Sequence, residues 1–166
     1  MLKVLVGYPS PNVEFVVVER MTGRLDPPQQ VLTTDELLAF QRRTDAVYVD
    51  PAVIEYAVRL AGATRAPAVV GLPDLARYLS FGASPRASIN LVKTAKALAF
   101  LRGRDYALPL DARDLALDVL RHRVVLSYEA LADGLGADAL LQPVIDAIPV
   151  PDVPLREGRT WTTQHG

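Results

Sequence analysis

At residues 82–87 the chain reads Gly-Ala-Ser-Pro-Arg-Ala, and this stretch begins a strong amphipathic helix. Ser84 is a good N-cap and Pro85 suits the first helical position, so Arg86 falls in the first turn. The amides there and the helix macrodipole disfavour a lone guanidinium by roughly 0.3–1 kcal/mol and favour an anion. Arg86 is therefore a candidate phosphate ligand, together with the helix amides. The structural alternative is an arginine that is solvated or paired with Asp74.

Composition excludes several kinds of chemistry. The 166 residues suit one ordinary domain, or a small domain with part of another, and half of them are apolar. The formal net charge of -1 gives no bulk attraction to nucleic acid or anionic lipid. Cysteine is absent, and the two histidines, His122 and His165, are too few for a histidine-based zinc centre. No apolar run approaches the roughly twenty residues of a membrane span, so we expect a soluble, cytoplasmic chain. From the charge and the lack of metal ligands we also expect no nucleic-acid partner and no bound metal.

Apolar spacing predicts a mainly α chain. Helices are expected over residues 11–21, 34–41, 51–61, 84–102, 110–123, 127–131 and 138–148. One or two helical turns are expected over residues 74–79, and residues 25–30 and 65–72 are predicted loops. The predicted buried faces are Val53, Ile54, Ala57, Val58 and Ala61 on one helix, and Ile89, Val92, Ala95 and Ala99, widened by Leu91, Leu98 and Leu101, on another.

Polar residues near the start of the 84–102 helix add a second candidate. Arg86, Asn90 and Lys93 follow one another at spacings of four and three residues, which places them on one edge of the helix. Lys93 is therefore a candidate for the same phosphate site, although a lysine on a solvated edge is the simpler interpretation. The basic run 121–123, Arg-His-Arg, lies at a predicted helix C-terminus, where cations are expected for structural reasons.

Residues 3–9, Lys-Val-Leu-Val-Gly-Tyr-Pro, form the one convincing strand pattern. A lone strand cannot satisfy its backbone hydrogen-bonding groups. We therefore expect residues 2–8 to pair with another segment or another chain, or to have lost the sheet to which they belong.

Several separate motifs occur in one order between residue 2 and about residue 151. They are residues 3–9, residues 48–50 (Tyr-Val-Asp), residues 82–87, residues 101–106 (Leu-Arg-Gly-Arg-Asp-Tyr) and residues 119–123 (Val-Leu-Arg-His-Arg). Together they closely resemble the C-terminal part of MoxR-type AAA+ ATPases.

This resemblance implies a fold and a set of residue roles. Residues 1–9 would be the last strand of a truncated AAA+ core, residues 10–150 a helical AAA+ lid-type bundle, and residues 151–166 a tail. Arg86 matches the sensor 2 arginine of the family, which reaches the phosphates of bound nucleotide from the lid. Tyr8 and Pro9 lie where the core passes into the lid, so they are further candidates for nucleotide contact. Arg65 could face a neighbouring subunit, but a solvated loop arginine is the simpler interpretation.

The sequence departs from the family at the phosphate-binding loop. No Gly-x-x-x-x-Gly-Lys-Ser/Thr segment is present, so we expect this piece alone to bind no cofactor and to hydrolyse no ATP. The resemblance implies that a longer parent uses ATP and Mg²⁺, joins the lid to its own upstream core, and forms a homo-oligomeric ring that remodels a client protein. Two alternatives stay open: the lid of a magnesium-chelatase-like motor subunit, and a helical protein-binding module in which Arg86 is incidental.

Overall fold

A computed structural model describes residues 1–23 and 27–152, and these residues are mainly helical, as the sequence predicts. The helices are α1 (Pro11–Thr22), α2 (Thr34–Asp45), α3 (Pro51–Arg65), α4 (Pro85–Leu101), α5 (Pro109–Asp114), α6 (Ala116–Leu120), α7 (Tyr128–Ala132) and α8 (Ala137–Asp146). Two 3-10 turns, Pro67–Val70 and Pro73–Tyr78, lie between α3 and α4. The strands are β1 (Tyr48–Val49), β2 (Leu79–Phe81), β3 (Tyr106–Ala107) and β4 (Val125–Leu126).

The helix starts form at the expected caps. The Asp50 carboxylate accepts a hydrogen bond of 2.9 Å from the Ala52 amide at the start of α3. At the start of α2, the Thr33 hydroxyl accepts from the Glu36 amide at 3.2 Å, and the Glu36 carboxylate accepts from the Thr33 amide at 2.7 Å. This reciprocal pair satisfies two amides that the helix itself leaves free. The helix predicted over residues 110–123 is instead divided into α5 and α6 at Leu115.

The core lies between α3, α4 and the helices that follow them. Many of its positions on α3 and α4 are alanines, namely Ala57, Ala61, Ala63, Ala87, Ala95 and Ala99. Larger buried side chains complete it, including Tyr56, Leu60, Leu91, Leu120, Leu141 and Val144. Because helix separation depends on the side chains at the contact, the alanines let these two helices pack closely. No helix within the described ranges is long and apolar enough to cross a bilayer.

The predicted buried faces are only partly correct. Ile54 and Val58 on α3, and Ile89 and Leu101 on α4, are exposed. Tyr56, Leu60 and Thr94 are buried in their place. Both helices carry more apolar residues than one face can hold, so the position of the neighbouring helices selects the buried set. Helix α1 buries no residue at all, although its valines recur at helical spacing.

Four short strands, which the sequence does not predict, replace the one that it does. Strands β1 and β3 pair in parallel, with Tyr48 opposite Tyr106 and Val49 opposite Ala107. Strands β2 and β4 pair antiparallel, with an irregularity between Leu79 and Phe81. Each strand has two or three residues, too few to show the alternation by which strands are recognised.

The strand predicted at residues 3–9 is absent, because residues 1–10 form no regular secondary structure. Within the described part of the chain no strand pairs with them, and a strand needs such a neighbour for its backbone bonds. Instead, the Lys3 amide donates to the Asp118 carbonyl at 2.8 Å, and Arg121 donates to the Lys3 carbonyl at 2.7 Å. Arg121 also forms ion pairs with Asp118 and Asp138, which agrees with its structural interpretation. The predicted tail lies outside the described residues from position 153 onward.

Asp111 on α5 is a fully buried carboxylate that joins α4, β3 and α5. Its oxygens accept from the Arg104 guanidinium at 2.6 and 2.9 Å, from Arg102 at 2.8 Å and from the Leu108 amide at 2.8 Å. Burial by itself raises the pKa of Asp111, but the hydrogen bonds from Arg104 and from the Leu108 amide outweigh it. The pKa of this carboxyl therefore lies below its usual range.

We expect Asp111→Asn to lower the free energy of unfolding at pH 7 by about 3–5 kcal/mol. The substitution leaves Arg104, whose side chain is only 19% exposed, without its anionic partner. Urea denaturation followed by circular dichroism measures the change. Asp114→Asn is the matched control, because Asp114 is 43% exposed and its one ion pair within the described residues is with Arg102. That substitution should change the free energy of unfolding by less than about 1 kcal/mol.

The pH dependence of the same pair of proteins gives a second measurement. Because the folded pKa of Asp111 is depressed, its stabilising contribution is complete above the unfolded pKa of about 3.9 and is lost as the pH falls through the folded value. The difference in stability between the wild type and Asp111→Asn should therefore shrink below about pH 4. A difference that stays constant from neutral to strongly acidic pH would contradict this assignment.

Candidate functional site

The N-terminal turn of α4 is open to an anion. Ser84 takes the extended N-cap conformation and Pro85 occupies the first turn, as predicted, but the Ser84 side chain makes no capping hydrogen bond. No acidic side chain lies in this turn. The first amides of α4 therefore have no side-chain acceptor, and the partial positive charge of the helix end is not neutralised locally.

Arg86 is exposed in this turn. Among residues 1–23 and 27–152 its guanidinium has no hydrogen bond or ion pair, so the expected alternative of a pair with Asp74 is not found. All the donors of the guanidinium are available to a ligand. An anion placed against this turn would receive hydrogen bonds from backbone amides and from Arg86 together.

Ala83, directly before the N-cap, is held through both of its backbone polar groups. Its amide donates to the Thr64 hydroxyl at 2.8 Å, and its carbonyl accepts from the Arg65 guanidinium at 2.6 Å. The Thr64 hydroxyl in turn donates to the Ala61 carbonyl at 2.7 Å. Two consecutive residues at the end of α3 thus fix the backbone that leads into α4. We call these two hydrogen bonds to Ala83 the Ala83 clamp.

Gly82 makes the clamp sterically possible. A Cβ atom at this position would lie 2.5 Å from the Thr64 carbonyl oxygen and 2.6 Å from the backbone N and Cα of Arg65. These neighbours are backbone atoms and cannot rotate away. Only glycine lets the chain approach the end of α3 so closely.

A cavity of about 320 Å³ lies beside the clamp, and its lining mixes polar and apolar groups: Thr64, Arg65, Pro67, Ala76, Leu79, Ser80, Phe81 and Gly82. Arg65 supplies the one cation of this lining. The site around the start of α4 therefore combines an arginine without a partner among the described residues, a first turn without a side-chain cap and an adjacent concave surface.

The other predicted contacts do not join Arg86 in the described structure. Tyr8 and Pro9 lie in the irregular segment of residues 1–10 and are exposed. Lys93 is exposed on α4, two turns after Arg86. No hydrogen bond or ion pair links any of these three side chains to Arg86 within the part of the chain that the structure describes. Their roles in nucleotide contact stay predictions.

Thr64 and Arg65 are the residues that sequence reasoning missed. Residues 65–72 were predicted to be a loop, whereas α3 continues through Arg65 and a 3-10 turn follows at Pro67–Val70. The hydrogen bonds to Ala83 span 18 and 19 residues, a separation that no local pattern reveals. Gly82, just ahead of a serine–proline helix start, is the sequence signal that could have indicated a close backbone approach. The described ranges contain no cluster of three histidine, aspartate or glutamate side chains that could hold a metal ion.

Comparison with known proteins shows what this chain is similar to. Residues 74–144, which include the whole of α4, match the family described as AAA lid domain. The chain is 41% identical over 155 residues to Chaperone MoxR1 of Mycobacterium tuberculosis, a match that covers 92% of this chain and 41% of the relative. It is 39% identical over 110 residues to Protein MoxR of Paracoccus denitrificans, covering 63% of this chain and 32% of the relative.

The fold has a solved counterpart. A crystal structure of a Cytophaga hutchinsonii protein, provisionally named an ATPase, superposes with a TM-score of 0.83 at 32% identity, covering 92% of this chain and 47% of that one. The chain thus spans less than half the length of each of these relatives.

The steric role of Gly82 can be tested with two glycine substitutions on either side of the clamp. Gly82→Ala should destabilise the fold by about 1–3 kcal/mol or more, because its Cβ would overlap backbone atoms of α3. Gly62→Ala, in the last turns of α3, meets only an Arg65 nitrogen at 3.7 Å and should stabilise the fold by up to about 1 kcal/mol. Thermal unfolding of the two variants should shift in opposite directions, and an unchanged midpoint for Gly82→Ala would show that the close approach is not tight.

Proposed function

Because this chain belongs with the MoxR-type AAA+ proteins and carries an AAA lid domain, we propose that it is the lid of an ATPase in which Arg86 contacts the phosphates of bound nucleotide. The lid would close on ATP and reopen after hydrolysis. A lid position that depends on the nucleotide would couple the ATP state to ring assembly and to the remodelling of a client protein.

The free guanidinium of Arg86 supports this proposal most directly. A cation in the first turn of a helix is unfavourable without an anion, and Arg86 has no acidic partner in the part of the chain that is described. A phosphate against this turn would remove the conflict and would be bound by a bidentate guanidinium as well as by amides. The negative charge of the transferred phosphoryl group is spread over its oxygens, so a contact from Arg86 can strengthen as the transition state forms.

The remainder of the ATP site would come from a nucleotide-binding core outside these residues. The chain has no Gly-x-x-x-x-Gly-Lys-Ser/Thr loop to hold the β- and γ-phosphates. We propose that the core supplies this loop and the ligands of Mg²⁺, while the lid supplies Arg86 alone. Copies of the same core and lid would form a homo-oligomeric ring. The similarity to Chaperone MoxR1 and Protein MoxR favours a MoxR-type lid over that of a magnesium-chelatase motor.

Arg86→Ala should lower ATP turnover when the chain is joined to its nucleotide-binding core. Loss of a charge-assisted phosphate contact is worth about 1.5–3 kcal/mol, which corresponds to roughly a 10- to 150-fold decrease in kcat/KM. A coupled ATPase assay over a range of ATP concentrations measures it. Arg59→Ala is the matched control, because Arg59 is an exposed arginine on α3 without a hydrogen bond or ion pair to the described residues. Equal turnover of Arg86→Ala and Arg59→Ala would reject the phosphate role.

The isolated chain should bind ATP with negligible affinity. One exposed guanidinium and one helix end must compete with water and salt for the phosphates, and such contacts are weak in isolation. Titration calorimetry of residues 1–166 with ATP and Mg²⁺ should therefore give no measurable heat of binding at micromolar protein. Tight binding in this experiment would mean that the chain holds a nucleotide site of its own, contrary to the proposal.

A further inference from the structure

We infer that Thr64 and Arg65 are positioning residues for Arg86, acting through the Ala83 clamp. The inference rests on the proposed function of Arg86 and adds to it the residues that set the direction in which the lid presents its guanidinium. Neither Thr64 nor Arg65 would touch the nucleotide in this role.

The backbone between the clamp and Arg86 is short and stiff. Ala83 is fixed by its amide and its carbonyl, and the next carbonyl, that of Ser84, accepts the first hydrogen bond of α4 from the Ala87 amide at 2.8 Å. Directly after Ser84, the ring of Pro85 restricts its own φ angle. Few free torsions therefore separate the end of α3 from the Cα atom of Arg86.

The clamp also orients the start of α4, where no local side-chain cap is present. The Ser84 side chain makes no bond to the first turn of α4, so the orientation of this turn is set by contacts that come from elsewhere in the chain. Thr64 is buried and acts as both acceptor and donor, bridging Ala83 to the Ala61 carbonyl. The bridge ties the loop to the helical backbone of α3 and not merely to a mobile side chain.

Arg65 has the feature that separates positioning from folding. It is exposed, and its one described hydrogen bond goes to the Ala83 carbonyl. The bond itself is part-buried, because its acceptor lies on the fully buried Ala83, so its loss should lower stability as well as restrict the loop less. Since only one of the two bonds to Ala83 is lost, the protein should stay folded while the geometry at Arg86 is disturbed.

The first experiment compares Arg65→Met with Arg59→Met in the protein that joins this chain to its nucleotide-binding core. Methionine keeps an apolar stem and removes the donors. We expect kcat/KM for ATP to fall on the order of tenfold in Arg65→Met, less than the roughly hundredfold that misplacement by 1 Å can cause. The urea midpoint of Arg65→Met should fall only modestly, so that the protein is folded under the assay conditions, and Arg59→Met should match the wild type in both measurements. Wild-type turnover in Arg65→Met would overturn the inference.

A double-mutant cycle then tests whether Arg65 acts through Arg86. If it does, Arg65→Met should reduce turnover in the wild-type background but cause no further decrease in the Arg86→Ala background. Decreases that multiply would show an independent role for Arg65 and would overturn the inference, while leaving the role of Arg86 intact. If Arg86→Ala itself leaves turnover unchanged, the proposed function fails first, so the two failures are distinguishable.

Thr64 offers a test by conservative rescue. Thr64→Ser keeps the hydroxyl that accepts from the Ala83 amide, whereas Thr64→Val keeps the shape and removes it. Turnover should be close to that of the wild type in Thr64→Ser and reduced by several-fold or more in Thr64→Val. Hydrogen exchange at the Ala83 amide should accelerate in Thr64→Val alone. Equal turnover in the two variants, with the accelerated exchange present, would show that the clamp does not position Arg86.

Discussion

The end of α3 and the segment that leads into α4 meet through a close backbone contact at Gly82, which a residue with a side chain would not allow. The chain leaves α3 at Arg65, passes through two 3-10 turns and β2, and returns at Gly82 onto the backbone that it has just left. The absence of a side chain at Gly82, together with the small alanines buried on both helices, permits the two elements to lie close. The later helices pack against α3 and α4, so their arrangement depends on the separation of these two helices.

Polar contacts hold α4 at its two ends, and they differ in kind. Ahead of its N-terminus, hydrogen bonds from the Arg65 guanidinium and to the Thr64 hydroxyl fix Ala83, and no carboxylate lies in the first turn. Just past its C-terminus, Arg102 and Arg104 converge on the buried carboxylate of Asp111. Ion pairs thus stabilise one end of the helix, while Arg86 at the other end has no ion pair with the described residues.

If Arg86 contacts nucleotide as proposed, this division would combine a rigid lid with a weak, adjustable contact. The backbone ahead of Arg86 is held by short hydrogen bonds to Ala83, which leave it little freedom. The guanidinium itself lies in solvent, so it would gain binding energy only where a core domain brings phosphate to it. A single contact of this kind could report the nucleotide state without holding the nucleotide permanently.

Local sequence rules were enough to predict where helices α2, α3 and α4 begin. Proline after a capping residue places the starts of α3 and α4, and the threonine and glutamate of residues 33 and 36 place that of α2, because each of these devices acts within one turn. The conflict between the charge of Arg86 and the helix macrodipole could also be recognised from its position in the first turn alone.

What local rules could not supply were the pairings between distant segments. Short strands such as β1 and β3 exist only because a partner nearly sixty residues away completes their hydrogen bonds, and residues 3–9 form no strand where such a partner is lacking. The buried faces of α3 and α4, and the bonds from Thr64 and Arg65 to Ala83, likewise depend on which helix lies opposite. The amino-acid sequence by itself determined where helices α2, α3 and α4 begin and which cation lies against the helix dipole, since those are properties of a single turn. Only the tertiary structure decided which surfaces close on one another, that Arg86 has no partner among the described residues, and which bonds hold the backbone ahead of it, since those are set by atoms that approach through space.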